Sequence, residues 1–247
     1  MEPLMTFRGV SMSFFGHSMR GMALESVDAV FVQGRTTAIV GANASGKSTM
    51  LRLAAGVIRP TEGAVVWSRA QRATSRAFVP QRSALAADFT ARETVSLGTA
   101  AKEAPAARVD AALEAVGLLS RGHVRYHSMS GGEQQRVRVA RALAQVEHAD
   151  GSALLLDEPF SSLDPAEVAR LVEALRAFTG AGGSVILSLH DAGLAREVAQ
   201  AAIALRQGRV LASGGADEVL APASLRAVYA HEMLEATERA RWLRPRL

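Results

Sequence analysis

The stretch TTAIVGANASGKST, residues 36–49, decides the fold that the sequence predicts. A short buried strand, residues 36–40, precedes a loop that matches the pattern G-x-x-x-x-G-K-[ST]. Glycines let such a loop turn its backbone N–H groups toward phosphate oxygens, and its lysine adds a positive charge. A helix is predicted from Ser48 to Ala55, ending at Gly56. Strand, loop and helix together predict a site for a nucleoside triphosphate.

The residues expected to contact the nucleotide from this loop are Gly41, Asn43, Ala44, Ser45, Gly46, Lys47, Ser48 and Thr49. Lys47 would reach the β- and γ-phosphates, and the Ser48 hydroxyl would ligate Mg²⁺. A second apolar strand ends in two acids, Asp157 and Glu158. At the carboxyl edge of the sheet Asp157 would hold Mg²⁺, and Glu158 would polarise the attacking water as general base.

A second glycine-containing stretch, HSMSGGEQQRVRVARAL, occupies residues 127–143. Its serine and two glycines lie directly before a predicted helix, where free N–H groups and the helix dipole favour an anion. The chain therefore contains two phosphate cradles about eighty residues apart.

Strand and helix signals alternate through most of the chain. Alternating apolar residues predict strands within residues 10–14 and 27–31, and an amphipathic helix is predicted around residues 109–116. Further strands are predicted at residues 64–67, 77–79, 153–157, 184–190, 201–206 and 209–212, and a helix at 165–178. This alternation predicts a parallel sheet covered by helices. We expect one domain over residues 1–247, with a helical subdomain (83–145) inserted into a core formed by residues 1–82 and 146–247.

Composition excludes several classes of protein. Hydrophobic residues make up 49% and charged residues 21% of the chain, which is typical of a globular domain, and there is no cysteine. No apolar run reaches the roughly 18–20 residues of a membrane-spanning helix, and we expect no signal peptide. The net charge of +4 comes largely from arginines around Trp242, which we interpret as a solvated terminal helix rather than a membrane-binding segment. Nucleic acid is not expected as a partner.

Taken together, GANASGKST, HSMSGGEQQRVRVARAL and LLLDEPFSSLD resemble the ATPase subunit of an ABC transporter, and the resemblance covers nearly the whole chain. It implies an α/β fold: a P-loop NTPase, RecA-like core with a mixed sheet, an antiparallel β edge subdomain and the inserted helical subdomain. It also implies ATP and Mg²⁺ as cofactors and a head-to-tail dimer. Each phosphate loop would then face the signature stretch of the other copy, here Ser130, Gly131, Gly132 and Glu133.

Further roles follow from the resemblance. Gln81 matches the glutamine that contacts Mg²⁺, Asp164 the loop that crosses the dimer interface, and His190 the histidine at the γ-phosphate. Phe14, with Phe15 as the alternative, would stack on adenine. The predicted catalytic set is therefore Glu158, His190, Lys47 and Gln81, and the metal set is Ser48, Gln81 and Asp157. Met129 and Glu133 replace the usual leucine and glutamine of the signature stretch, and Ala42 and Ala44 replace proline and glycine in the loop.

The resemblance favours an importer whose membrane permease is a separate subunit and whose solute comes from a binding protein. Such a chain would lie in the cytoplasm, on the inner face of the membrane. The segment Ala77–Ser83 is similar to the zinc or manganese branch, and importers of haem or ferric siderophores are the alternative. A non-transport ABC ATPase is less favoured, since only 83 residues separate Lys47 from Ser130, without heptads. The pair His123 and His127 is not expected to bind a metal, because no carboxylate or cysteine accompanies it.

Overall fold

The structure is a computed structural model that describes residues 2–16, 19–68, 76–81, 88–99, 106–146, 151–226 and 228–229. Its strands, in chain order, are β1 (Pro3–Gly16), β2 (Met19–Val32), β3 (Thr36–Val40), β4 (Glu62–Trp67), β5 (Arg76–Val79), β6 (Ala153–Asp157), β7 (Ser184–Leu189), β8 (Ala201–Arg206) and β9 (Arg209–Gly215). Its α-helices are α1 (Lys47–Ala55), α2 (Ala91–Ser96), α3 (Ala106–Ala115), α4 (Gly131–Gln145), α5 (Pro165–Gly180), α6 (Ala192–Val198) and α7 (Ala216–Val219).

The core sheet has the strand order β5-β6-β7-β3-β8-β9, parallel except for the β8–β9 pair. Every residue of β3, β6 and β7 is buried, as expected for parallel strands covered by helices on both faces. Because these three strands are neighbours and parallel, their carboxyl ends meet at one edge of the sheet. That edge carries the phosphate loop after β3, the two acids at the end of β6, and His190 after β7.

A second sheet, antiparallel and three-stranded, has the order β2-β1-β4. Apolar residues of β1 and β2, among them Phe7 and Phe31, form one buried cluster with Met50 and Leu51 of α1 and with Ile39 of the core sheet. Helix α1 therefore lies between the two sheets, and its first turn is held at the end of β3. The mixed α/β fold predicted from the sequence is confirmed.

The helices α2, α3 and α4 pack on one another and lie between β5 and β6 in the chain. Val109, Ala112, Leu113 and Val116 are buried, which fits the predicted apolar face, although α3 ends at Ala115, just before Val116. A capping box starts α2, in which the Thr90 hydroxyl accepts the N–H of Glu93. Within the described residues no helix is both long enough and apolar enough to cross a membrane.

Several element bounds differ from the sequence predictions. Strands β1 and β2 each run for 14 residues, far beyond the alternating stretches, since register shifts interrupt the alternation along their pairing. Strand β9 continues to Gly215, and β7 ends at Leu189, which leaves His190 outside the sheet. The helices α2, α6 and α7 have only 6, 7 and 4 residues, too short for a helical period to show in the sequence. The arginine-rich segment around Trp242 lies outside the described residues.

Candidate nucleotide site

The loop between β3 and α1 curls tightly at two glycines. A Cβ on Gly41 would lie 2.2 Å from the Leu205 carbonyl oxygen, so only glycine fits there. Gly46 has φ +107°, and a Cβ on it would lie 2.7 Å from the Ala23 carbonyl oxygen. The neighbouring strands therefore fix the path of the loop from outside.

The lysine of the loop lies inside this curve. Lys47 is buried, and its Nζ donates hydrogen bonds to the carbonyl oxygens of Gly41 (2.7 Å) and Ala42 (2.9 Å). Asn43 and Ala44 are exposed, whereas Ser45 is buried and its hydroxyl has no hydrogen-bond partner within the described ranges. The positive charge is thus held where the sequence predicts the phosphates, at the start of a helix whose dipole also favours an anion.

Two oxygen groups suited to Mg²⁺ meet at the start of α1 and the end of β6. The Ser48 hydroxyl donates to Asp157 Oδ1 at 3.0 Å. Asp157 is 1% exposed, and its second oxygen, Oδ2, is buried and has no hydrogen-bond partner among the described residues. An orphaned carboxylate oxygen is costly unless a cation or donor satisfies it. A hydroxyl and a carboxylate are ligands that Mg²⁺ prefers, so these residues fit the ion.

The predicted base and the predicted glutamine are in contact. Gln81 Nε2 donates to Glu158 Oε2 at 2.8 Å, across the ends of the adjacent strands β5 and β6. Glu158 has φ +50°, an uncommon conformation for a residue other than glycine, which turns the chain sharply after Asp157. Backbone strain of this kind is characteristic of functional sites.

One residue at this edge was missed by the sequence analysis. Ser188, on β7, is fully buried; its hydroxyl donates to Asp157 Oδ1 at 2.6 Å and accepts the N–H of Glu158 at 2.9 Å. A serine within a strand gives no signal in a single sequence, because its register against β6 is not known in advance.

His190 is exposed and follows β7 at the same edge of the sheet. Its carbonyl oxygen accepts a hydrogen bond from the Tyr229 hydroxyl at 3.1 Å, and the following residue, Asp191, caps α6 through Gly193 and Leu194. These contacts hold the backbone of His190 and leave its ring at the surface.

The signature stretch starts α4 with a capping box. The Ser130 hydroxyl accepts the N–H of Glu133, and Glu133 Oε2 accepts the N–H of Ser130 at 2.9 Å. Glu133 also pairs with Arg121 at 3.0 Å. Because its carboxylate accepts these two contacts, Glu133 acts as a cap and an ion-pair partner for the stretch in this chain.

The two signature glycines have different surroundings. Gly131 is exposed, and no atom of the described residues lies within 4 Å of a Cβ placed on it, whereas Gly132 is buried. A Cβ on Gly132 would lie 2.9 Å from the Ser162 carbonyl oxygen and 2.8 Å from Glu167 Oε2. Asp164 caps α5 by accepting the N–H of Glu167 at 2.8 Å. The signature stretch is therefore packed against the loop that precedes α5 and ends at Asp164.

The structure brings some predicted residues together and separates others. Lys47, Ser48, Gln81, Asp157 and Glu158 meet at one edge of the core sheet. In the described parts of the chain, the hydrogen bonds and ion pairs of residues 130–133 do not reach the phosphate loop, residues 41–49.

The remaining candidates are aromatic or histidine residues. Phe14 is half-buried against the cluster around α1, and the side chain of Phe15 lies outside the described residues. His123 and His127 are exposed, and only His127 lies in a helical turn, so they do not share a helix face. Among the described residues no group of three or more histidine, aspartate or glutamate side chains is arranged to hold a metal ion.

Known proteins resemble this chain in sequence and in fold. The family model described as ABC transporter matches residues 24–161. The "Hemin import ATP-binding protein HmuV" of Agrobacterium fabrum is 38% identical over 220 residues, covering 83% of this chain and 85% of the relative. The protein of the same name from Bradyrhizobium diazoefficiens is also 38% identical, covering 85% and 84%. The dimeric structure of a post-hydrolysis state of an ATP-binding cassette bound to ADP and Pi has a TM-score of 0.75 and 26% identity, covering 86% of this chain and 98% of that chain.

Proposed function

We propose, from the premise that this chain belongs to the ABC transporter family and is an ATPase, that it powers an importer and that the imported solute is haem. The observation that supports haem is the similarity to hemin import ATP-binding proteins along more than four-fifths of the chain. The sequence alone favoured zinc or manganese and kept haem as the alternative. The relatives support that alternative, and they support transport over a non-transport role.

For the reaction, we propose in-line attack of water on the γ-phosphate, catalysed by positioning and by neutralisation of charge. Lys47 binds the β- and γ-phosphates. Ser48 and Asp157 hold Mg²⁺, which neutralises phosphate charge when bound, with Gln81 as a further ligand. Glu158 orients the attacking water and takes its proton. The hydrogen bond from Gln81 to Glu158 must open when both side chains turn to the nucleotide.

His190 completes the charge neutralisation from the end of β7. Phe14 stacks on adenine from the antiparallel sheet, with Asn43, Ala44, Ser45 and Thr49 lining the phosphate path. We retain as a proposal the division into a core (1–82 and 146–247) and an inserted helical subdomain (83–145), because α2, α3 and α4 pack on one another.

The site requires a second copy of the chain. Ser130 and Gly131 are exposed, and the contacts that the described residues make with them do not include the phosphate loop. We propose a head-to-tail dimer in which Ser130, Gly131 and Gly132 face the γ-phosphate held by the partner subunit, with Asp164 near the dimer contact. The dimer binds a membrane permease on the cytoplasmic face, and a separate protein delivers haem to that permease.

The solute is tested in vesicles that contain the chain and its permease, supplied in turn with binding protein loaded with haem, with a ferric siderophore and with zinc. We expect ATP-dependent uptake of haem alone, with haem and ferric siderophore measured by absorbance and zinc by elemental analysis of the washed vesicles. The control is Glu158→Gln, which keeps an acceptor for Gln81 but removes the base, and should abolish uptake while trapping an ATP-bound dimer. Uptake of zinc or siderophore without haem would contradict the haem proposal and leave the ATPase intact.

A further inference from the structure

We infer that Ser188 is a positioning residue for ATP hydrolysis, which fixes the metal carboxylate and the general base through one hydroxyl group. The inference rests on the roles proposed above for Asp157 and Glu158. It begins from burial: Ser188 is fully buried on β7, directly beside Asp157 in the parallel pairing of β6 and β7.

The polarity of the two hydrogen bonds is fixed by chemistry. A backbone N–H can only donate, so the Ser188 oxygen accepts from Glu158 at 2.9 Å. The single proton of the hydroxyl is then directed to Asp157 Oδ1, at 2.6 Å. One side chain is therefore both acceptor for one acidic residue and donor to the other.

The consequence for Asp157 concerns which oxygen is offered to a cation. Oδ1 accepts hydrogen bonds from the hydroxyl groups of Ser188 and Ser48, while Oδ2 is buried and accepts none from the part of the chain that the structure describes. The Ser188 bond holds the carboxylate in this rotamer, so Oδ2 is the oxygen left for Mg²⁺. When Ser48 turns toward the metal, the bond from Ser188 remains and keeps Asp157 in place.

The consequence for Glu158 concerns the backbone. Strand β6 ends at Asp157, so the N–H of Glu158 lies beyond the strand and is satisfied by the Ser188 side chain instead. This bond stabilises the positive φ of Glu158, the turn that directs its side chain away from the line of the strand. Loss of the Ser188 hydroxyl would therefore remove one hydrogen bond from Asp157 and one from Glu158, and both residues would be held less firmly.

The test is Ser188→Ala, with Ser184→Ala as matched control. Ser184 is also fully buried on β7, but its hydroxyl accepts the N–H of Gly34 at 2.9 Å, at the opposite end of the strand. We measure ATPase rate against Mg²⁺ concentration, and binding of a fluorescent ATP analogue in EDTA. Ser188→Ala should lower kcat about 10-fold and raise the half-maximal Mg²⁺ concentration by about the same factor. Metal-free nucleotide binding should not change, and Ser184→Ala should keep both kinetic values.

Ser188→Thr and Ser188→Val have side chains of similar volume and differ in the hydroxyl group. Ser188→Val should show the same changes in kcat and half-maximal Mg²⁺ concentration as Ser188→Ala, and Ser188→Thr should not. Wild-type kinetics in Ser188→Ala, or equal losses in Ser188→Ala and Ser184→Ala, would overturn the inference. So would a Thr variant that folds but behaves like Val, or a failure of every variant without the hydroxyl to fold. Asp157→Asn tests the proposed role of Asp157 separately from that of Ser188. If this variant retains full ATPase activity, the proposed role of Asp157 is wrong, independently of the results for the Ser188 variants.

Discussion

Glu133 shows how a single side chain adjusts the signature stretch. Glutamine is usual at this position in the family that the sequence resembles, and a carboxylate adds negative charge at the surface proposed to meet the partner's γ-phosphate. In this chain the charge is offset by Arg121, at 3.0 Å, and the carboxylate also accepts the N–H of Ser130. The ion pair with Arg121 therefore offsets a negative charge that a glutamine at this position would not introduce.

Substitutions of Glu133 and Arg121 should shift the ATP concentration needed for dimerisation in opposite directions. Glu133→Gln keeps an acceptor for the cap of α4 and removes a negative charge, so ATP-dependent dimerisation should need less ATP. Arg121→Met leaves the carboxylate without its cation and should raise the ATP concentration required. Light scattering across an ATP titration measures dimerisation of both variants. The thermal midpoints should stay within a few degrees, because the Arg121 side chain is half exposed and Glu133→Gln keeps the cap of α4. Shifts in the same direction for the two variants would contradict this account.

At the scale of elements, the start of α4 is coupled to the start of α5. Gly132 touches the loop before α5, and Arg136, one turn further along α4, pairs with Glu167 at 2.5 Å. Glu167 in turn accepts the N–H of Asp164 at 3.2 Å. The signature stretch and the loop ending at Asp164 are thus one packed unit, so a shift of either at the proposed dimer contact should move the other.

The two glycines of this unit should respond differently to alanine. Gly132→Ala places a methyl group against the Ser162 carbonyl and Glu167, so we expect a loss of about 1–3 kcal/mol in unfolding free energy, measured by urea denaturation. Gly131→Ala meets no atom among the described residues and should keep stability, yet it should weaken ATP-dependent dimerisation if Gly131 faces the partner's phosphate. A stable Gly132→Ala protein, or a Gly131→Ala dimer of wild-type affinity, would be the contrary result.

The elements also show what a single sequence can predict. The phosphate loop, β6 and the starts of the helices α4 and α5 depend on local residue types, and the structure has them where expected. The packing of Gly132 against Ser162 and the bonds of Ser188 depend on which elements become neighbours. Register and packing between distant segments are set by the whole fold, so no local pattern contained them.

At the scale of the whole molecule, the chain carries two stretches that we propose as the halves of one site. Among its described residues, the hydrogen bonds and ion pairs of residues 130–133 do not reach residues 41–49. The phosphate loop follows β3 in the core sheet, whereas the signature stretch starts α4 within the helical region. A two-fold dimer with each loop facing the other copy's signature stretch produces two equivalent composite sites from one contact. That arrangement predicts complementation between variants damaged in different halves.

Lys47→Ala destroys the phosphate loop and leaves the signature stretch intact, while Ser130→Arg does the reverse. Each variant alone should be inactive, because both of its composite sites contain a damaged half. Mixed in equal amounts, they form heterodimers in which one site joins the intact loop of one copy to the intact signature of the other. ATPase activity should then return to roughly a quarter of the wild-type value, since half the dimers are mixed and each has one complete site. A tagged Lys47→Ala chain should also retain untagged Ser130→Arg chain on a column with ATP. A mixture with no activity and no retained partner would show that the phosphate loop and signature stretch do not meet across subunits.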